Sequence, residues 1–156
     1  MAERSVVHGS FKIERTYEKS SPAKVFRAWS DPALKRKWFG SPKEDDPTGV
    51  FEFKVGGREY NEGPGPEGKL FTYDVRYYDI VPDNRIVYAY DMQMDGARIS
   101  VSVATIEFKP KGNGTHMVLT ENGAFLDGLD KSADREAGTN WLMDQLGAML
   151  EKEAAN

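Results

Sequence analysis

From Val50 to Glu121 the chain passes through six segments of two-residue alternation, with no stretch of helical period between them. Val50–Val55 puts Phe51, Phe53 and Val55 on one face. Gly56-Gly57 then marks a bulge or sharp bend, and Arg58–Asn61 resumes the alternation. Leu70–Val81 aligns Phe71, Tyr73, Val75 and Tyr77; Arg85–Met94 aligns Ile86, Tyr88 and Tyr90; Arg98–Lys109 and Thr115–Glu121 follow. The connections are short and rich in turn residues: Gly63–Gly68, Pro82-Asp83-Asn84, Asp95-Gly96 and Pro110–Gly114. Parallel strands need crossovers of a dozen residues or more, so six consecutive strands joined this way imply an antiparallel meander.

The flanks add helices. Residues 1–9 read as a loose leader, and Phe11–Tyr17 alternates as a half-buried strand with Phe11, Ile13 and Tyr17 on one side. Ser21-Pro22 and Asp31-Pro32 each pair an N-cap side chain with a proline at the first helical position. They predict two short helices, the second ending at Gly40 after Trp38 and Phe39. Short helices are marginal alone, so Leu34, Trp38 and Phe39 need an apolar partner, either as core packing or as a gate over a cavity. A last helix is expected over Ser132–Glu153, with Ala137, Trp141, Leu142, Gln145, Leu146, Met149 and Leu150 as its apolar stripe. The plan is α+β, β-α-α-β6-α, in one domain over residues 10–153 with a tail at 154–156. A strongly curved antiparallel sheet wrapped around one long helix leaves a space that side chains need not fill, a usual place for a small ligand.

Composition narrows the function. The chain has 156 residues and no cysteine, which removes thiol nucleophiles, disulfides and Cys-type zinc sites. A net charge of −4 offers no general attraction to nucleic acid or anionic membranes. No apolar run reaches the roughly 20 residues of a membrane span, and no signal peptide is recognisable, so a cytoplasmic protein without membrane insertion is expected. Gly63-x-Gly65-x-x-Gly68 matches a dinucleotide fingerprint as a string, but a strand follows it where the phosphate would need a helix N-terminus. Asn113-Gly114-Thr115 reads as a turn. His8 and His116, with Glu44-Asp45-Asp46 and Asp127-x-x-Asp130, show no metal-ligand spacing; the acidic pieces read as solvated loops. No metal and no cofactor are expected.

The candidate binding residues are the aromatics. Phe51, Phe53, Phe71, Tyr73, Tyr88, Tyr90 and Trp141 fall on one expected interior, and buried tyrosine hydroxyls require partners that a polar-lined pocket would supply. Trp38, Phe39, Tyr60, Leu142, Gln145 and Met149 complete the expected cavity. Arg58 would grip a ligand carboxylate inside it or be ordinary on an edge. Glu121 shares strand parity with Met117 and Leu119. Turned inward it would be a general acid or base of raised pKa; at a strand end it would reach water or pair with a cation such as Arg58.

Several stretches carry a family resemblance: Ser21-Pro22-Ala23-Lys24-Val25-Phe26-Arg27-Ala28-Trp29, Asp31-Pro32 through Trp38-Phe39-Gly40, Phe53–Arg58, Gly114–Glu121 and Arg135–Leu142. Together they resemble the START-like (Bet v 1-like, SRPBCC) superfamily, and within it the bacterial branch similar to the activator of Hsp90 ATPase (AHSA1) group. The resemblance implies a helix-grip fold with a cavity between sheet and C-terminal helix. It implies no single activity, since members include hydrophobic-ligand carriers and cyclase-like or dehydratase-like enzymes. The eukaryotic co-chaperones carry a further N-terminal domain that residues 1–9 do not supply, so Hsp90 stimulation is not the expected role. The expectation is a small hydrophobic, lipid-like or aromatic ligand held without catalysis by a monomer or weak homodimer. The alternative is a cyclase-like or dehydratase-like enzyme using Glu121 or a pocket tyrosine. Trp141→Ala is expected to weaken both stability and ligand uptake.

Overall fold

The computed structural model describes residues 3–39 and 48–155. The helix stop expected at Gly40 and the acidic loop Glu44-Asp45-Asp46 lie outside the described residues, as do the first two residues of the leader and the last of the tail. The order of elements is β1 (Val6–Tyr17), α1 (Pro22–Ser30), α2 (Pro32–Lys35), β2 (Val50–Phe51), β3 (Arg58–Pro64), β4 (Leu70–Val81), β5 (Arg85–Met94), β6 (Ala97–Lys111), β7 (Gly114–Leu126) and α3 (Ser132–Ala155). The seven strands form one curved antiparallel sheet in the order β1-β7-β6-β5-β4-β3-β2. With α3 held against it, the architecture is α+β and of helix-grip type.

The sequence signals act where they were read. The Ser21 hydroxyl accepts from the Lys24 amide and the Asp31 carboxylate from the Ala33 amide, capping α1 and α2. Asp31 also ends α1, its amide bonding the Arg27 carbonyl, so the two helices meet without a linker. At Asp95-Gly96 both residues have positive φ, the two-residue turn that matches the twist of the flanking strands. Gly114 opens β7 where a Cβ would collide with the Tyr17 carbonyl oxygen, which holds β1 close to this hairpin.

Several boundaries differ, for physical reasons. Val6–Gly9 are not leader: they pair with Gly123–Leu126 of β7, and the exposed Val6 and Val7 gave no alternating signal. β7 itself runs on to Leu126 through Asn122-Gly123, a pair that read as a strand end. β2 has only two residues, because the chain bends at Lys54–Gly57 and exposes Val55. α2 is a single helical turn followed by turns up to Phe39, and its buried residue is Lys35 where an apolar side chain was expected. On α3 the buried residues are Thr139, Met143, Leu146, Met149 and Leu150, so the helix is rotated from the expected stripe and leaves Trp141 60% exposed.

The core lies between sheet and helices. Ile13, Val25, Ile86, Ile106, Met117, Leu119, Met143 and Leu146 are all nearly inaccessible, and burial of such side chains is worth about 1.5–3 kcal/mol each. The Trp38 indole N–H donates to the Ala28 carbonyl at 3.0 Å, and its ring meets Trp29 edge-on at 4.8 Å. Phe53 packs edge-on against Phe26 and Tyr77. Tyr17 reaches α3, where its hydroxyl donates to the Met143 carbonyl at 3.2 Å and its ring lies against Gly147.

Candidate functional site

The space between sheet and helix is filled at one end and open at the other. A cavity of about 560 Å³ lies under the N-terminal half of α3. Its sheet side is made by Phe71, Tyr73, Tyr88, Tyr90 and Met92 of β4 and β5 and by Leu119 and Glu121 of β7. Strand alternation puts these side chains on one face. Arg135, Gly138, Thr139, Trp141, Leu142 and Met143 form the helix side, and Trp29 and Phe39 close the end near α1 and α2. The aromatic wall is continuous: Phe39 lies 5.2 Å from Tyr73, Tyr73 4.9 Å from Tyr90, and Tyr90 6.0 Å from Tyr88.

A polar cluster stands at the deep wall. Glu121 is 3% exposed and sits mid-strand opposite Phe11 and Ala104. The Tyr90 hydroxyl donates to Glu121 Oε2 at 2.7 Å and accepts from Arg135 Nη1 at 3.0 Å. Arg135 Nη2 donates to the Ser100 hydroxyl at 2.8 Å and to the Asp130 carboxylate, and Nη1 lies 3.8 Å from Glu121. Burial raises the Glu121 carboxyl above its ordinary value, against the opposing pull of Tyr90 and Arg135. Burial pulls the Arg135 guanidinium down, yet Tyr90, Asp130 and Glu121 together leave it above its ordinary value. Burial, with Glu121 beside it, pushes the Tyr90 hydroxyl up, and Tyr73 and Tyr88 are raised chiefly by burial as well, so all three stay neutral.

A second polar cluster is packed behind Phe39. Lys35 and Glu59 are 3% and 0% exposed, with Nζ and Oε1 2.6 Å apart. The Tyr77 hydroxyl donates to the same oxygen at 2.6 Å, and Asn61 Nδ2 donates to Oε2 at 3.2 Å. The ammonium also lies 4.6 Å from the Phe39 ring centre and 5.4 Å from that of Phe51. This cluster ties α2 to β3 and holds Phe39 on the cavity wall.

Of the residues expected at the cavity, the structure brings Phe39, Phe71, Tyr73, Tyr88, Tyr90, Glu121, Trp141 and Leu142 together on its walls. Trp141 stands at the mouth, not in the interior. Trp38 is a core residue. Phe51 and Phe53 stack on each other at 6.2 Å and extend the core beside Tyr77. Arg58 is bidentate to Asp74 at 2.9 and 3.0 Å, with its guanidinium over Tyr60, whose hydroxyl donates to Glu62; neither Arg58 nor Tyr60 lines the cavity. Met149 is packed in the core at the filled end, and Gln145 is half-buried away from the wall. Glu121 has the buried, cation-paired form of the alternatives, with Arg135 as its cation. Asp130, expected in a solvated loop, accepts from Arg135, while Asp127 accepts from the Ser5 amide.

Sequence reasoning missed Arg135 and the Lys35–Glu59 pair. Both had a periodic signal: Arg135, Thr139 and Leu142 share one helix face, and Lys35 stands at helical spacing from Trp38 and Phe39 in the sequence. A charged residue on an apolar face is discounted when hydrophobicity alone is counted. Among the described residues no group of three or more acidic or histidine side chains is placed to share a metal ion, and no helix is long and apolar enough to cross a membrane.

A curved antiparallel sheet gripping a C-terminal helix over an aromatic-lined cavity defines a protein of the START-like, helix-grip class. The sequence profile described as activator of Hsp90 ATPase homolog 1-like protein matches residues 19–151, and the chain belongs to this AHSA1-like family. Among solved structures, the Mll3558 protein from Rhizobium loti is 41% identical with a TM-score of 0.85, covering 93% of this chain and 99% of its own. An uncharacterized protein from Rhizobium leguminosarum is 41% identical with a TM-score of 0.87, covering 96% and 99%. DynU16, from the dynemicin biosynthetic locus, is 16% identical with a TM-score of 0.67 over 91% of this chain and 47% of its own, which is likeness of fold alone. No curated protein matches the chain.

Proposed function

We propose that the protein binds a small, mostly apolar molecule between the sheet and the N-terminal half of α3, without transforming it. The observation that carries this reading is the cavity of about 560 Å³ walled by aromatic side chains with one satisfied polar cluster. That is the usual make-up of a small-molecule site: an apolar wall for affinity and a few fixed polar groups for orientation. The single domain, which runs from β1 through α3, works in the cytoplasm as a monomer or weak homodimer. Its acidic balance argues against nucleic acid and anionic membranes as partners.

The test uses a side chain that plugs the cavity without touching the core. Gly138 lies on the cavity wall, and a Cβ there meets no atom within 4 Å. Gly138→Phe also removes a helix-interior glycine, which favours the helix by up to about 1 kcal/mol. The wild-type protein is expected to bind the neutral fluorophore N-phenyl-1-naphthylamine, and native mass spectrometry of protein from its own host is expected to find a co-purifying small molecule. Gly138→Phe loses both while melting no lower. A plugged variant that binds the fluorophore as the wild type does refutes the reading.

A second reading has its own observation. Glu121 is a buried carboxyl of raised pKa on the cavity wall, hydrogen-bonded to Tyr90, the arrangement of a general acid or base in a cyclase-like or dehydratase-like enzyme. Turnover of any substrate retained by Glu121→Gln removes it from that role.

A further inference from the structure

The charges on the cavity wall say which head group the ligand carries, an inference that rests on the binding function proposed above. Among the described residues the only cationic side chain on the wall is Arg135. Its guanidinium already serves Asp130, Ser100 and Tyr90 and faces Glu121. Arg58, the cation that the sequence suggested here, is engaged on Asp74, and Lys35 is engaged on Glu59 behind Phe39. Against this single engaged cation the wall carries four carboxylates, Glu62, Glu121, Asp130 and Asp134. An acidic head group entering the cavity would lose its water, meet Glu121 and Asp130 at close range, and have to displace one of them from Arg135. Desolvation without a new partner makes that costly.

A cationic head group meets the opposite conditions. The rings of Phe39, Tyr73 and Tyr90 form a connected wall beside Glu121; the Lys35 ammonium lies over Phe39 and the Arg135 guanidinium over Tyr90, which leaves Tyr73 as the ring of the three that no cation among the described residues covers. Aromatic faces with a carboxylate are the recognition chemistry of ammonium groups. We propose that the occupant is an amphiphilic amine, an apolar body bearing a protonated nitrogen that is received at Glu121 and the tyrosine wall. A fatty acid or other carboxylate amphiphile is the disfavoured class.

The experiment displaces N-phenyl-1-naphthylamine with three probes of one chain length, 1-decylamine, 1-decanol and decanoate, at concentrations below micelle formation. Decylamine displaces at a concentration at least about tenfold below decanoate, with decanol between them. The ranking persists at about 0.5 M salt, where the attraction of the whole acidic protein for cations is screened. In Glu121→Gln the amine advantage over decanol, read as the ratio of the two displacement concentrations in the same variant, falls to within about threefold. The wild-type ranking stands on its own if that variant does not fold. Decanoate binding as tightly as decylamine, or an amine advantage unchanged in folded Glu121→Gln, overturns the inference and leaves the binding function intact. Failure of the fluorophore and of all three probes to bind removes the binding function itself.

Discussion

Lys35→Met tests how the cavity end wall is built. The substitution keeps the unbranched stem and removes the ammonium. Among the described residues it leaves the Glu59 carboxylate, which has no solvent exposure, with the Tyr77 hydroxyl at 2.6 Å and Asn61 Nδ2 at 3.2 Å. Breaking a buried pair from one side costs about 3–5 kcal/mol, because the remaining charge is stranded in a low-dielectric interior. For a domain of this size that corresponds to a fall in Tm of roughly 6–20 °C, out of a total stability of about 5–15 kcal/mol. The loss appears as a lower urea midpoint with an unchanged slope, followed by the fluorescence of Trp29 and Trp38, which are packed beside this cluster.

The companion variant separates the charge from the packing. In Lys35→Met/Glu59→Gln no charge is buried, and a glutamine oxygen still accepts from Tyr77. The Asn61 amide can turn over, so that its oxygen, which has no hydrogen-bond partner among the described residues, accepts from the new amide nitrogen. The double variant therefore recovers at least about 2 kcal/mol of the single loss, a coupling well outside the additivity expected of independent sites. A Lys35→Met protein within about 1 kcal/mol of wild type, or a double variant no better than the single one, shows that the ion pair is not sealed from water.

Two further perturbations address the cavity. The Glu121 carboxyl is raised above 4.5 in the folded protein, so its contribution to stability is complete at pH below that value and is lost as pH climbs through the raised one. Glu121→Gln has no such loss: relative to wild type, urea midpoints move in the variant's favour as pH rises above 4.5, and a flat or reversed difference contradicts the burial assigned to this side chain. Trp141 is 60% exposed at the cavity mouth. Trp141→Ala therefore changes stability by no more than about 0.5 kcal/mol, while a bound fluorophore dissociates faster. A large loss of stability would restore the central packing role that its sequence pattern suggested.

The meander, the caps and the helix order were legible because each rests on local chemistry. Alternation, a proline after a capping side chain, and Asp95-Gly96 all act within a few residues. The extent of β1 and β7 was not legible. Val6–Gly9 are a strand because they pair with Gly123–Leu126, and Asn122–Phe125 continue β7 between β1 and β6, pairings between segments far apart in the chain. The rotation of α3 was hidden for a related reason. Trp141 is the largest apolar residue in its segment and drew the stripe toward itself, whereas the tertiary contacts choose Thr139 and Met143. The polar clusters were hidden because their members are far apart in sequence: Glu59 pairs with Lys35, and Glu121 with Arg135.

The hollow itself has an origin in side-chain size that the sequence carries but only the register reveals. Along the inner face of β6 the residues run Ser100, Ser102, Ala104, then Ile106 and Phe108. The small ones lie opposite Met92, Tyr90 and Tyr88, which line the cavity, and Ile106 lies opposite Ile86 in the closed core. α3 repeats the gradient: Gly138 and Thr139 face the cavity, while Leu146, Met149 and Leu150 fill the other end. Two surfaces that are both small at the same end cannot close on each other there without moving the whole helix. The large residues at the far end, with Tyr17 bonded to the Met143 carbonyl, fix where that helix lies. A rigid contact at one end thus holds the other end apart, since a packed interior transmits such a spacing and does not collapse around it. Binding space in this fold is therefore a consequence of where the core is well packed as well as of the small residues at the cavity.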